Sequence, residues 1–130
     1  MQGNRGRDTR PETLARVALR KAGWTGYRLN WRTPAGRADI AFPGRRVAIL
    51  VHGCFWHGCP KHSAVPKTHS TFWKAKFRAN KRRDRRMRIR LLRSGWSAIE
   101  LWECDIIADP ERVIRPAVAV LRRRGAGSPL

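Results

Sequence analysis

Acidic residues are scarce in this chain: nine Asp and Glu stand against 29 Lys and Arg, a formal net charge of +20. A surplus of that size repels itself unless a polyanion neutralises it, which makes nucleic acid the leading partner. Long apolar runs are missing as well. None approaches the roughly 20 residues that a membrane helix needs, so an acidic membrane surface is the weaker candidate and no membrane partner is expected. The opening Met1-Gln-Gly-Asn-Arg5 is polar throughout and lacks the apolar segment of a secretory leader. Cysteine is scarce and odd in number. Three residues suit metal ligation in a reducing cytoplasm better than a disulfide framework. No internal repeat divides the 130 residues, so one domain spanning 1–130 is expected, large enough for a real core.

Against these absences the chain is rich in Trp, with six, and has four Phe. Residues 1–8 read as a flexible basic arm and residues 122–130 as a disordered basic tail. Thr9-Arg-Pro-Glu12 fits a capping box with Pro11 in the first turn. The helix that follows carries Leu14, Val17, Ala18 and Ala22 on its apolar face and stops at Gly23. On this pattern alone Glu12 reads as a cap. Residues 27–31 are expected to form a first strand. In residues 37–42, Ala38, Ile40 and Phe42 alternate with Arg37, Asp39 and Ala41, so Asp39 lies on the opposite face from the larger apolar residues. Pro43-Gly44 turns the chain into a buried strand over 46–51.

A long basic helix is expected from Ser70 or Thr71 to just before Gly95, with eleven Lys or Arg between Lys74 and Arg93. Steps of three and four residues link Trp73, Phe77, Asn80, Asp84, Met87 and Leu91 into one stripe, mostly apolar and hence facing the core. A carboxylate on that face, Asp84, must be paired or bound to something. An ion pair with its arginine neighbours is the simpler reading of it. Residues 96–102 read as a further strand ending at Glu103-Cys104. Asp109-Pro110 opens a last helix with Val113, Ile114, Ala117, Val118 and Leu121 inward and a bend at Pro116. The order of elements predicts an α/β sandwich with a mixed sheet.

The chemistry is concentrated in residues 51–62, where two cysteines, three histidines and a Phe-Trp pair follow a strand. Cys54, Cys59 and His62, with Cys104 from the end of another strand, make a three-thiolate, one-imidazole set that suits a closed structural Zn2+ site. Three reduced structural thiols remain the alternative. Asp39 on one hairpin strand and His52 at the end of the next suit phosphodiester hydrolysis, with the carboxylate holding Mg2+ and an imidazole moving a proton.

His52-Gly-Cys-Phe-Trp-His-Gly-Cys-Pro-Lys-His62 resembles the signature of the very short patch repair (Vsr) endonucleases, bacterial enzymes that nick DNA beside a T:G mismatch. The likeness continues in order through Arg7-Asp-Thr9 with Glu12, Gly36-Arg-Ala-Asp39, Val65-Pro-Lys67-Thr68, Phe72-Trp73, Asp84-Arg-Arg86, Gly95-Trp96 and Trp102-Glu-Cys104. It implies a restriction-endonuclease-like α/β fold, related to the PD-(D/E)xK nucleases, with a mixed sheet flanked by helices and a structural zinc. It also implies nicking 5′ to the mispaired T, leaving 3′-hydroxyl and 5′-phosphate ends. Asp39 and the backbone carbonyl of Val51 would hold Mg2+. His57 would be the general base and Asp84 would orient it. His52 would bind a metal-held water or the scissile phosphate, and Glu12 would support the site from the first helix. Phe55, Trp56 and Trp73 would wedge into the duplex beside the mismatch, and Lys67, Arg82 and Arg86 would contact DNA. Such wedging has to repay the few kcal/mol that unstacking costs. Ala38 stands where the family often has proline, and Val51 where it often has a polar residue. The implied setting is the bacterial cytoplasm at the nucleoid, as a monomer on double-stranded DNA with a T:G mismatch, with other mismatch-repair proteins as further partners. Two alternatives stay open: a restriction-type nuclease with another DNA target, and a zinc-stapled DNA-binding module without catalysis.

Overall fold

The structure is a computed structural model that describes residues 10–53 and 68–124. The basic arm, the Thr9 cap, the segment carrying Cys54, Phe55, Trp56, His57, Cys59, His62 and Lys67, and the last six residues of the tail lie outside the described residues.

Helix α1, Arg10–Lys21, is followed by strands β1, Arg28–Thr33, β2, Gly36–Phe42, and β3, Val47–His52. Helix α2, Ser70–Arg93, leads into β4, Ser97–Trp102. Three short helices close the chain: α3, Glu103–Ala108, α4, Pro110–Val113, and α5, Arg115–Arg123. The two glycines expected to stop helices do so in the same way. Gly23 and Gly95 have φ of 91° and 83°. Around them Trp24 N–H bonds to Leu19 O and Gly23 N–H to Arg20 O, as Trp96 N–H does to Leu91 O and Gly95 N–H to Leu92 O. That is the paired closing pattern of a Schellman motif, and a side chain at either glycine would be strained.

The strands form one mixed sheet in the order β1-β2-β3-β4. β1, β2 and β3 run antiparallel in turn, and β4 lies parallel to β3, with His52 opposite Trp102 and Leu50 opposite Glu100. Each face of the sheet has its own core. On one face Ile40, Phe42, Val47, Ile49 and Leu101 pack against Ala15, Ala18 and Leu19 of α1, Ile106 of α3, Ile114, and Ala117, Val118 and Leu121 of α5. Each fully buried Leu or Ile there contributes about 1.5–3 kcal/mol. On the other face Ala41, Ala48 and Leu50 lie with Leu91 of α2 and Trp96. Small residues on this side let a 24-residue helix lie close to the strands.

From Thr71 to Arg93, the six stripe residues of α2 are the ones that are not exposed, and all eleven Lys and Arg from Lys74 onwards are exposed. Elsewhere the structure departs from expectation. The inner face of α1 runs through Pro11, Glu12, Ala15, Ala18 and Leu19, while Val17 is exposed. The turn after β2 is a 3₁₀ turn over Pro43–Arg45, and Arg46 takes a left-handed conformation, so β3 starts one residue late and includes His52. Cys104 is not on a strand: it lies in the first turn of α3, a helix that pattern reading did not separate from β4. The expected bend at Pro116 is a break, because α4 ends at Val113 and α5 restarts with the proline in its first turn. Arg124, the last described residue, donates from its guanidinium to Ser97 Oγ and Gly95 O.

Candidate active site

Parity along the strands decides which side chains meet. His52 lies two residues after Leu50 and so shares the α2 side of the sheet, while Asp39 stands where the alternation of β2 breaks, since Ala38 and Ala41 both belong to the core on that side. Glu100 and Trp102 join His52 there through the β3–β4 register. All four lie at one end of the sheet, where the central pairing opens. The β2–β3 ladder runs from Phe42 opposite Val47 to Ile40 opposite Ile49 and goes no further. In place of the next rung, Val51 N–H donates to Asp39 Oδ2 at 2.7 Å. The β1–β2 ladder also omits the rung at Asp39: the position opposite is Asn30, whose φ of 48° is outside the strand region.

The Asp39–Val51 bond has a consequence for Val51 itself. In an extended strand a residue's N–H and C=O point to the same lateral side. With its N–H on Asp39, Val51 turns its carbonyl toward β2 as well, beyond the last rung that could use it. A carboxylate and a backbone carbonyl thus share the opened gap between β2 and β3.

His52 is 5% exposed. Its Nδ1 is 3.9 Å from Asp84 Oδ2 on α2, and its Nε2 is 3.8 Å from Glu100 Oε2 on β4. These are ion-pair distances, longer than closed hydrogen bonds. The Trp102 ring lies 5.0 Å away, tilted by 47°. Arg88 Nη1 approaches the other Glu100 oxygen, Oε1, at 3.7 Å. The Glu100 carboxyl is held below the ordinary glutamate range. Pairing with the His52 ring is the largest cause, burial opposes it, the charges of His52 and Arg88 reinforce it, and Asp84 pushes the other way. One turn from Asp84, Asn80 is 5% exposed and accepts from Arg83.

Of the residues singled out in the sequence, the structure gathers Asp39, Val51, His52 and Asp84 at one place. Asp84 meets His52 there; His57, which it was expected to orient, lies outside the described residues. Glu12 is buried, on the helix that covers the opposite face of the sheet. Trp73 is half-buried, with its ring centroid 5.1 Å from Phe72 and 6.2 Å from Phe77, and Phe72 is 58% exposed. Arg82 and Arg86 are exposed on α2. Among the described residues no group of three or more His, Cys, Asp and Glu is placed to hold a metal. Of the four expected zinc ligands only Cys104 is described. It follows Glu103, whose Oε1 would be 3.7 Å from a Cβ at Gly53, so the chain leaves β3 beside the start of α3. Sequence reading missed Glu100. Its one signal was a lone carboxylate inside an apolar strand. Among the described residues no helix is long and apolar enough to cross a membrane.

Comparisons with known proteins find similar chains among DNA endonucleases. The family model for the DNA mismatch endonuclease Vsr matches residues 1–64. The type II nicking enzyme V.NaeI of Lentzea aerocolonigenes is 39% identical over 114 residues, 84% of this chain and 68% of the relative. V.XorIIP of Xanthomonas oryzae pv. oryzae, also named a type II nicking enzyme, is 39% identical over 108 residues, 82% of this chain and 78% of the relative. The DNA mismatch endonuclease Vsr of Escherichia coli K12 is 37% identical over 84 residues, 62% of this chain and 52% of the relative.

Proposed function

The chain belongs to the Vsr family of DNA mismatch endonucleases, and from that premise we propose that it nicks one DNA strand 5′ to the mispaired T of a T:G mismatch. The observation that carries the proposal is the opened end of the sheet, where Asp39 takes the Val51 N–H and His52 lies two positions beyond Leu50 on the same face. The helix beside it exposes eleven Lys and Arg, a surface suited to the phosphates of a duplex. Relatives named as nicking enzymes support single-strand cleavage.

The donor set fits Mg2+. A carboxylate oxygen not engaged by Val51 N–H and the Val51 carbonyl are hard oxygen ligands in the gap between β2 and β3, as a hard cation prefers. Bound there, the ion would neutralise charge developing on the phosphoryl group. The chain's own groups do the rest. His52, buried between Asp84 and Glu100, binds the scissile phosphate through a ring nitrogen that gives up one of these long contacts. His57 takes the proton from the attacking water as that oxygen bonds to phosphorus. The bond from phosphorus to the 3′ oxygen breaks and that oxygen takes a proton, leaving 3′-hydroxyl and 5′-phosphate ends. Phe55, Trp56 and Trp73 supply flat faces against the unstacked bases, while Lys67, Arg82 and Arg86 hold phosphates, and Glu12 supports the sheet from the opposite side. The DNA-bound protein works as a monomer in the bacterial cytoplasm, alongside other mismatch-repair proteins.

Zn2+ would be held by Cys54, Cys59, His62 and Cys104, and the passage of Gly53 beside Glu103 fits that set, since Cys54 and Cys104 are the next residues of each strand exit. Purified protein should carry about one zinc per chain, and Cys104→Ala should lose it and melt earlier, because binding energy at such a site is folding energy. A metal-free Cys104→Ala protein of parental stability would remove the zinc from the account.

The function is tested by nicking assays with Mg2+ on duplexes that differ only at one pair. Cleavage of T:G but not of T:A or C:G is expected. Equal nicking of all three would make it a nuclease with another target, and binding without cleavage in any metal would leave a DNA-binding module.

A further inference from the structure

Glu100 is the single charged residue of β4, whose other members are Ser97, Ala98, Ile99, Leu101 and Trp102. A carboxylate in the middle of such a strand has to be matched by partners. The parallel register puts it beside Leu50, two positions before the His52–Trp102 pair, so it leans over the α2 face toward His52. One oxygen faces His52 Nε2 at 3.8 Å and the other faces Arg88 Nη1 at 3.7 Å. Asp84 approaches the opposite ring nitrogen at 3.9 Å, and Trp102 flanks the ring at 5.0 Å. The imidazole is therefore bounded at both nitrogens and on one flank, by groups from α2 and β4. Asp84 alone, at one ring nitrogen, would leave the ring free to turn about the line joining them. Glu100, fixed in the sheet next to the strand that carries His52, removes that freedom.

We propose that Glu100 is a positioning residue for the nicking reaction, setting the orientation of the His52 ring, and that Arg88 holds Glu100 in place from α2. The inference rests on the reading of His52 as an active-site residue. Partners that orient an active-site imidazole typically matter by about 10–100-fold in activity.

The test is single-turnover nicking of a T:G duplex at saturating protein, beside duplex affinity and melting temperature, for Glu100→Ala, Glu100→Gln, His52→Ala and the Glu100→Ala/His52→Ala double variant. Glu100→Ala should slow the nicking step by about 10–100-fold with duplex affinity and melting temperature unchanged. Glu100→Gln, which keeps an acceptor of the same shape, should recover most of that rate. The double variant should be no slower than His52→Ala, because two residues acting as one unit do not add. Parental nicking by Glu100→Ala would overturn the proposal, as would a loss that tracks a fall in melting temperature, multiplying losses in the double variant, or an equal loss in Glu100→Gln. Full nicking by His52→Ala would instead overturn the reading of His52 on which the proposal stands.

Discussion

The two faces of the sheet follow different rules. Toward α1, α3 and α5 the sheet presents Ile40, Phe42, Val47, Ile49 and Leu101, and the helices answer with Ala, Leu, Ile and Val. Toward α2 it presents alanines and one leucine, and then His52 and Glu100 opposite Asp84, with Asp39 at the break in β2 beside them. No buried side-chain nitrogen or oxygen among the described residues is left without a partner, so the polar end is satisfied and not merely tolerated. Fold stability should therefore come mainly from one face and chemistry from the other. A buried charge network is weak evidence of stability and a sound reason to look for function.

Substitutions on the two faces should break this comparison in opposite directions. The largest loss of stability is expected at Ile49, fully buried on the apolar face. Ile49→Ala should cost about 2–5 kcal/mol, read as an earlier denaturant midpoint, with nicking per folded molecule unchanged. Equal damage to both readouts would mean that the faces are not separable. Trp73 sharpens the division because it is half-buried on the inward stripe of α2, edge-to-face with Phe72 and tilted against Phe77. Trp73→Ala should remove about 1–3 kcal/mol of stacking per base, seen as a smaller ratio of T:G to C:G affinity. An undiminished ratio would confine Trp73 to the core. The smallest selective effect belongs to the solvent side of α2. Replacing Arg82 and Arg86 with Ala should weaken matched and mismatched duplexes alike and flatten the dependence of affinity on salt. A loss limited to T:G duplexes would assign those arginines to lesion recognition.

How much of this was legible depended on the length of each pattern. The stripe of α2 was readable because 24 residues repeat one period, and its two polar members, Asn80 and Asp84, are buried or half-buried as the spacing required. Both helix stops could be read from a single glycine. The inner face of α1 was misread because Ala15 and Glu12, small or charged, carry less pattern weight than Val17, which ends up exposed. Helix α3 is six residues long and starts directly after the last residue of β4 without a side-chain cap, so neither period nor cap marked it. Glu100 was missed for another reason. Its meaning depends on the parallel register of β3 and β4, and strands joined through a 24-residue helix carry no register signal in the sequence. Asp39 was found by alternation, but the opened rung that gives it Val51 N–H is a property of the sheet.

The central claim is that the polar end of the sheet, built around Asp39, performs the cleavage and is not needed to bind DNA. It is tested most directly by single-turnover nicking and equilibrium binding of Asp39→Ala on T:G and C:G duplexes at one salt concentration. The account predicts no nicking, with T:G binding as tight as in the parent or tighter, since a carboxylate facing phosphate has gone. Nicking by Asp39→Ala at the parental rate would contradict it.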